Sequence, residues 1–404
     1  MNIYLLSSLL FVLMAVLGAV DAASASFDFV PWFNGLRWLR VHLITLGVIT
    51  NAVFGLLPVI SASLSGNPKP RPRLDTWLAL NSGVLVLLVA IPLINQPLII
   101  LGGTLVFVAV LLLSQQIISI QAQATAPKSP GQITSRHFYI AGLVYLGVGI
   151  YVGTGLWLGW PEAVGMHVPI EVHIHANNWG FLSLVFAGLL IDLFPQFSGQ
   201  SLAWPHSSKP IFWLMVVGAF GLVFGPWFQL TYILLVPGLL MHLVATIWMV
   251  LNIAKPLKRS GQINTPGSLH LVLAYFWMFA PVLVAPLVLL KVPGFPGIGI
   301  EQNAPQALIY GWSLQFVYAL LPYIFSRAFT GEKQAALGGT WFSLLTVNLG
   351  GVFLWASIFN KSSATQLHGT AYALWALSML PVLAQIWRAV RHSSALPDTD
   401  QFSA

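Results

Sequence analysis

Two histidines, His173 and His175, open an otherwise apolar stretch, PIEVHIHANNWGFLSLVFAGLLIDLFPQFSG, that runs from 169 to 199. Ionisable side chains inside a run of membrane-spanning length are costly, which makes them functional-site candidates. Imidazole is also the commonest side chain for holding haem iron, copper or zinc. The pair is two residues apart, about 200° around a regular helix. The two rings therefore cannot serve one metal. They face two inter-helix spaces, or one of them points to the surface. The competing reading places both at the headgroup level, hydrogen-bonded to loop backbone.

Further polar groups occupy the same depth. His42 and His368 fall within the first turn or two of their own apolar runs, and so does Gln306. Arg37 and Arg40, three residues apart, stand just before His42. Two guanidinium groups on one helical face could clamp haem propionates, because their geometry matches carboxylates. An interfacial snorkelling pair is the equal alternative. Glu171 could orient a histidine through its second ring N–H, or equally be a charge near the positive end of its helix. Convergence of His42, His173 and His368 would instead make a three-histidine copper or non-haem iron site. His242, mid-run, reads as a hydrogen-bonded packing residue, and His137, His206 and His270 as residues of the inner surface.

The elements that position these groups follow from composition. Of 404 residues, 57% are hydrophobic and only 7% are charged. So few charges cannot cover a soluble surface, so the predicted class is an all-α polytopic membrane protein. There is no cysteine, which excludes disulfides, thiolate-ligated haem and iron–sulfur clusters. The formal charge of +7 comes from residues scattered over short loops, a topological pattern rather than a nucleic-acid surface.

Apolar runs of about 20 residues can be placed twelve times, at 3–22, 38–62, 75–94, 97–121, 138–159, 172–194, 209–226, 230–253, 268–290, 305–327, 338–360 and 366–390. With the N-terminus cytoplasmic, 13 of the 17 Lys and Arg residues fall on inner segments and 4 on outer ones. The positive-inside rule then places both termini in the cytoplasm, across a bacterial or archaeal cytoplasmic membrane. His42, Gly47 and Gly55 recur as His175, Gly180 and Gly188, each 133 residues later. Gln306, Gly311 and Ala319 keep the same spacing, and His137 and His270 are again 133 apart. The pattern predicts three pseudo-repeats of four helices, at 1–121, 122–254 and 255–392, with a disordered tail at 393–404. It also predicts that the first run is a retained helix rather than a cleaved signal.

No acidic residue is expected to be buried mid-span, which argues against a proton-coupled transporter, and no broken helix is evident. A phosphate loop, a dinucleotide fingerprint and a nucleophile arrangement are all missing.

The stretch HIHANNWGFLSLVFAGLLIDLFPQFSG, followed by PIFW at 210–213, resembles the catalytic subunit I of heme-copper oxidases. It is most similar to the C-type cytochrome oxidases and the nitric oxide reductase large subunit, with a spacing also similar to NnrS-like membrane proteins. The resemblance covers 169 to 213 and rests on His173, His175, Gly180 and Pro195. It implies twelve helices in three pseudo-repeats, with the two histidines binding different haems on opposite helix faces. It further implies heme b, a possible copper, and a redox partner such as a cytochrome or cupredoxin within membrane lipid. The activity implied is electron transfer or redox chemistry on nitric oxide or oxygen, an oxidoreductase at its fullest. The chain departs from the family where the H-x-H helix is the sixth instead of the tenth, and where Gln306 stands for a histidine. The alternatives left open are a transporter or channel and a metal-free structural subunit of a respiratory complex.

Overall fold

In a bilayer every backbone N–H and C=O must be satisfied within its own segment, which leaves apolar runs of this length no choice but helix. The computed structural model describes residues 2–27, 37–123, 134–332 and 334–394. Lys128, Lys333 and the tail from 395 onward lie outside the described residues. The described chain is all-α and carries eleven helices long and apolar enough to cross a membrane. They are α1 (Ile3–Ser26), α2 (Arg37–Leu64), α4 (Gln96–Ala122), α5 (Ser135–Leu158), α6 (Pro169–Ser198), α7 (Pro205–Trp227), α8 (Thr231–Arg259), α9 (Pro266–Leu289), α10 (Gly297–Thr330), α11 (Trp341–Phe359) and α12 (Lys361–His392). The twelfth predicted span is the shorter apolar helix α3 (Leu74–Ala90). It stops at 90 rather than 94 because Pro92 has no N–H to carry the helical ladder on, and Ile94 turns the chain at φ 50°.

The helix starts follow local chemistry. Asn95 accepts a hydrogen bond from the Leu98 backbone N–H, and Thr265 from that of Ser268. Thr134 with His137 and Thr340 with Ser343 form reciprocal caps. Each supplies partners for amides that a first helical turn leaves unpaired. At the far end of α6, Gly199 takes φ 64°, the left-handed conformation that closes the helix.

The chain divides into two compact units, residues 1–52 with 261–404, and residues 53–260. The first packs α1 against α12 and against the start of α2, and α11 against α12. Ala15 and Ala19 of α1 are fully buried, and Gly47 of α2 lies so close to the Phe11 ring that a Cβ there would come within 2.5 Å of it. The second unit packs α3 on α4, α4 on α5, α5 on α6, and α7 on both α6 and α8.

Helices α2, α6 and α10 are not regular. Each contains a π-type segment, at Leu43–Thr50, Ala176–Leu182 and Leu308–Ser313 respectively. The segment begins one residue after His42 and His175, and two after Gln306. The aligned glycines sit inside these segments, and each is covered by an aromatic ring from the preceding helix: Gly47 by Phe11, Gly180 by Tyr145, and Gly311 by Trp277. The same internal bond also recurs. The Asn51 side-chain amide donates to the Gly47 carbonyl at 2.9 Å, and that of Gln315 to the Gly311 carbonyl at 2.7 Å. The repeat read from spacing is thus also a repeat of backbone geometry.

Two expectations need correction. Asp21, within α1, is 3% exposed, so the spans do hold a buried acid. His270 is not a surface residue: it is fully buried between Gln315 at 3.2 Å and the Ser343 hydroxyl at 2.9 Å. Its repeat mate His137 remains in the exposed cap with Thr134.

Candidate metal and cofactor site

In the second unit, residues 169–175 form a regular α-helical turn before the π segment starts. The two histidines therefore diverge as regular geometry requires. His173 turns to α5, where its Nδ1–H donates to the Gly149 carbonyl at 2.8 Å. His175 turns to α7, where its Nδ1–H donates to the Leu222 carbonyl at 2.6 Å. A carbonyl can only accept, so both rings carry the proton on Nδ1, and the neutral ring keeps its lone pair on Nε2. Glycines make the fit possible: a Cβ at Gly153 would come within 2.5 Å of His173 Cε1. Main-chain carbonyls orient both rings through Nδ1.

His42, in the first unit, shows the same arrangement by another route. Its Nδ1–H donates to the Trp38 carbonyl at 2.7 Å, and its ring stacks on the Trp38 indole with centroids 4.4 Å apart. Hydrogen-bonding one ring nitrogen to fix the tautomer and aim the other is the usual support of a metal-bound imidazole.

The third repeat differs. Gln306 is fully buried, and its side-chain carbonyl accepts from the Tyr372 hydroxyl while its amide donates to Asn303 at 3.0 Å. Around it the space is filled. Tyr310 stacks on Trp375 with centroids 4.3 Å apart and planes at 12°, and Tyr372 meets both edge-on. These three rings are fully buried. His368 lies beside Tyr372 and approaches the Ser26 hydroxyl at 3.4 Å. His368, Tyr372 and Trp375 follow the i, i+4, i+7 rhythm of one helix face, a signal present in the sequence that the histidine count overlooks.

The two arginines separate. Arg37 is exposed and reaches the Gln302 carbonyl at 3.2 Å. Arg40 is buried, with its guanidinium 4.4 Å above the Tyr372 ring centre.

Among the described residues no three His or carboxylate side chains come together to hold an ion. His242 is the packing residue expected: its ring donates from Nε2 to the Trp179 carbonyl at 3.0 Å, within the π segment of α6. A scan against models of known protein families finds no match to this chain, and a search of curated proteins finds none.

Proposed function

We propose that the chain is a membrane haem protein of redox function, carrying electrons or acting on a small gas such as nitric oxide or oxygen, with distant kinship to the heme-copper oxidase subunit I superfamily. The observation that carries this reading is the shared state of His42, His173 and His175. Each has Nδ1 committed to a backbone carbonyl, which aims a neutral Nε2 donor away from the carbonyl that holds it. Three histidines within the first two turns of their helices, held in the same tautomer, fit the requirements of axial haem ligands. The chain has no cysteine, so a bound haem would be held without thioether bonds, as a b-type haem is. When bound, the haem supplies a one-electron couple or a gas-binding iron. The protein supplies orientation of the imidazoles and a site screened from water by the apolar helices.

His173 and His175 are the first ligand candidates, then His42, with His368 last because it lacks a carbonyl bond of this kind. Arg37 and Arg40 are the candidate propionate partners of this reading. Gln306, already engaged by Tyr372 and Asn303, does not fit as a ligand. Among the described residues there is no three-histidine cluster to hold copper. A cytochrome or cupredoxin is the natural class of electron donor, reached from the outer side of a bacterial or archaeal membrane. The filled aromatic centre beside Gln306 favours, as second reading, a structural subunit that keeps the fold without the metals.

The deciding measurement is a reduced-minus-oxidised visible spectrum with pyridine haemochrome and metal analysis on purified protein. The expected result is a b-type spectrum that His175→Ala removes while the protein still inserts. A colourless preparation after haem supplementation sinks the reading.

A further inference from the structure

The end of the α5–α6 pair remote from His173 holds a polar cluster that the haem reading does not use. Asp192 lies in the last two turns of α6 and is half-buried. The Tyr139 hydroxyl of α5 donates to its Oδ2 at 2.5 Å. Tyr139 is fully buried, and its ring fills the notch at Gly188 of α6, where a Cβ would come within 2.5 Å of Cε1. Packing thus holds the hydroxyl against the carboxylate. One turn earlier on α5, Ser135 and Arg136 are buried as well. Arg136 commits its Nη2 to the Ser65 hydroxyl at 2.7 Å, just past the end of α2. It acts on Asp192 through space, while the one ion pair in contact among the described residues, Arg73 with Asp75, lies elsewhere. The Ser135 hydroxyl lies beside the carboxylate but outside hydrogen-bond geometry. Helices α7 and α8 also pack on α6, yet among the described residues Arg136 is the one charged group that acts on Asp192.

A carboxylate drawn out of water is costly unless a cation and hydrogen bonds offset the loss of hydration. One hydroxyl and a cation beyond contact distance offset part of that cost, and uptake of a proton removes the rest. The ionised group needs a donor, which Tyr139 supplies. The neutral acid needs an acceptor for its new O–H, and Ser135 Oγ is at hand. Each state therefore has its own partner in place. About 9 Å of helix separate Asp192 from Ser198 at the end of α6, which brings it near the hydrated headgroup layer.

We propose that Asp192, with Tyr139, Ser135 and Arg136 around it, is a site of reversible proton binding at the end of α5–α6 remote from the histidines. The proton comes from water at that surface and adds to Oδ1. Tyr139 keeps its own proton and its bond to Oδ2 in both states. The proposal stands on the packing of α5 and α6 and does not depend on haem.

The test uses full-length protein in nanodiscs as wild type, Asp192→Asn, Tyr139→Phe and Ser135→Ala. Infrared difference spectra between about pH 8 and about pH 5, a range in which exposed carboxylates stay mostly ionised, read the carbonyl band of a protonated carboxyl group. Wild type is expected to gain this band reversibly on acidification, and Asp192→Asn to lack it. Tyr139→Phe takes a donor from the ionised form, so it should hold the proton about tenfold more tightly. Ser135→Ala takes the acceptor from the neutral form and should hold it less tightly. No band in wild type, or the same band in Asp192→Asn, overturns the proposal. So does an equal proton affinity in wild type and Tyr139→Phe. If Asp192→Asn fails to insert, the other two variants decide: shifts in opposite directions support the site, and titrations identical to wild type overturn it.

Discussion

The His173 ring lies in the notch that Gly153 leaves on α5, so close that a methyl group there would stand 2.5 Å from Cε1. The imidazole is thus placed by the absence of a side chain on the neighbouring helix, as well as by its bond to Gly149. Gly153→Ala should push the ring off that carbonyl and destabilise the protein by about 1–3 kcal/mol, the usual range for overpacking. If His173 binds haem, the absorption bands shift in the same variant. Unfolding in a denaturing detergent titration reads the first effect, and an unchanged midpoint contradicts the packing.

The three aligned glycines make a matched series. Gly47→Ala, Gly180→Ala and Gly311→Ala each drive a methyl into the ring of Phe11, Tyr145 or Trp277. Elsewhere in a helix, Gly to Ala is stabilising by roughly 0.5–1 kcal/mol, so the expected loss of about 1–3 kcal/mol at all three positions reverses the normal sign. Stabilisation at any one of them would show that its close approach is not real.

His242 satisfies a carbonyl that the π segment of α6 presents to α8. His242→Leu keeps the bulk and removes the donor, leaving the Trp179 carbonyl buried without this partner. The expected loss is about 1–3 kcal/mol, and His242→Gln, which restores a donor, should recover part of it. Haem content should not change, since the His242 ring is spent on packing. A loss of haem in His242→Leu at unaltered stability would reassign this residue as a ligand.

A polar chain in the first unit ties three helices together. His270 of α9 bonds Gln315 of α10 and Ser343 of α11, and Asn348 of α11 accepts from the Trp277 indole at 2.8 Å. Within a membrane such bonds are worth about 0.6 kcal/mol on average and up to about 1.7. A double-mutant cycle of His270→Ala with Ser343→Ala should return a coupling in that range. Additive single effects would mean the bond is not formed.

Gln306→His tests whether the third repeat can be turned back into a ligand position. The imidazole would stand where His42 and His175 stand in their repeats, but against a carbonyl-seeking Tyr372 and a filled aromatic floor. The expected outcome is lower stability and no added haem per chain by haemochrome assay. A gain of haem would mean that only the amide kept this position empty.

Much of the fold was legible because a bilayer admits so few solutions. An apolar run of about 20 residues must become a helix, and all twelve predicted runs did, with Pro92 accounting for the one that falls short. The 133-residue recurrence of His, Gly and Gly also carried through, since a glycine at a close helix contact leaves the same mark in sequence and in packing. The divergence of His173 and His175 followed from helix geometry alone. Two readings failed for one reason. His270 and Arg40 each fall near the start of a span, where residue number places a side chain at the surface, yet both are buried. Depth along a helix can be counted from sequence; the direction a side chain faces around the bundle cannot. The sequence by itself determined the helices and the recurrent spacing at which their π segments begin. Tertiary structure alone decided which carbonyls His173 and His175 meet, that Gln306 is claimed by Tyr372, and that Arg40 is buried against the Tyr372 ring, because each depends on residues of different helices brought within a few ångströms.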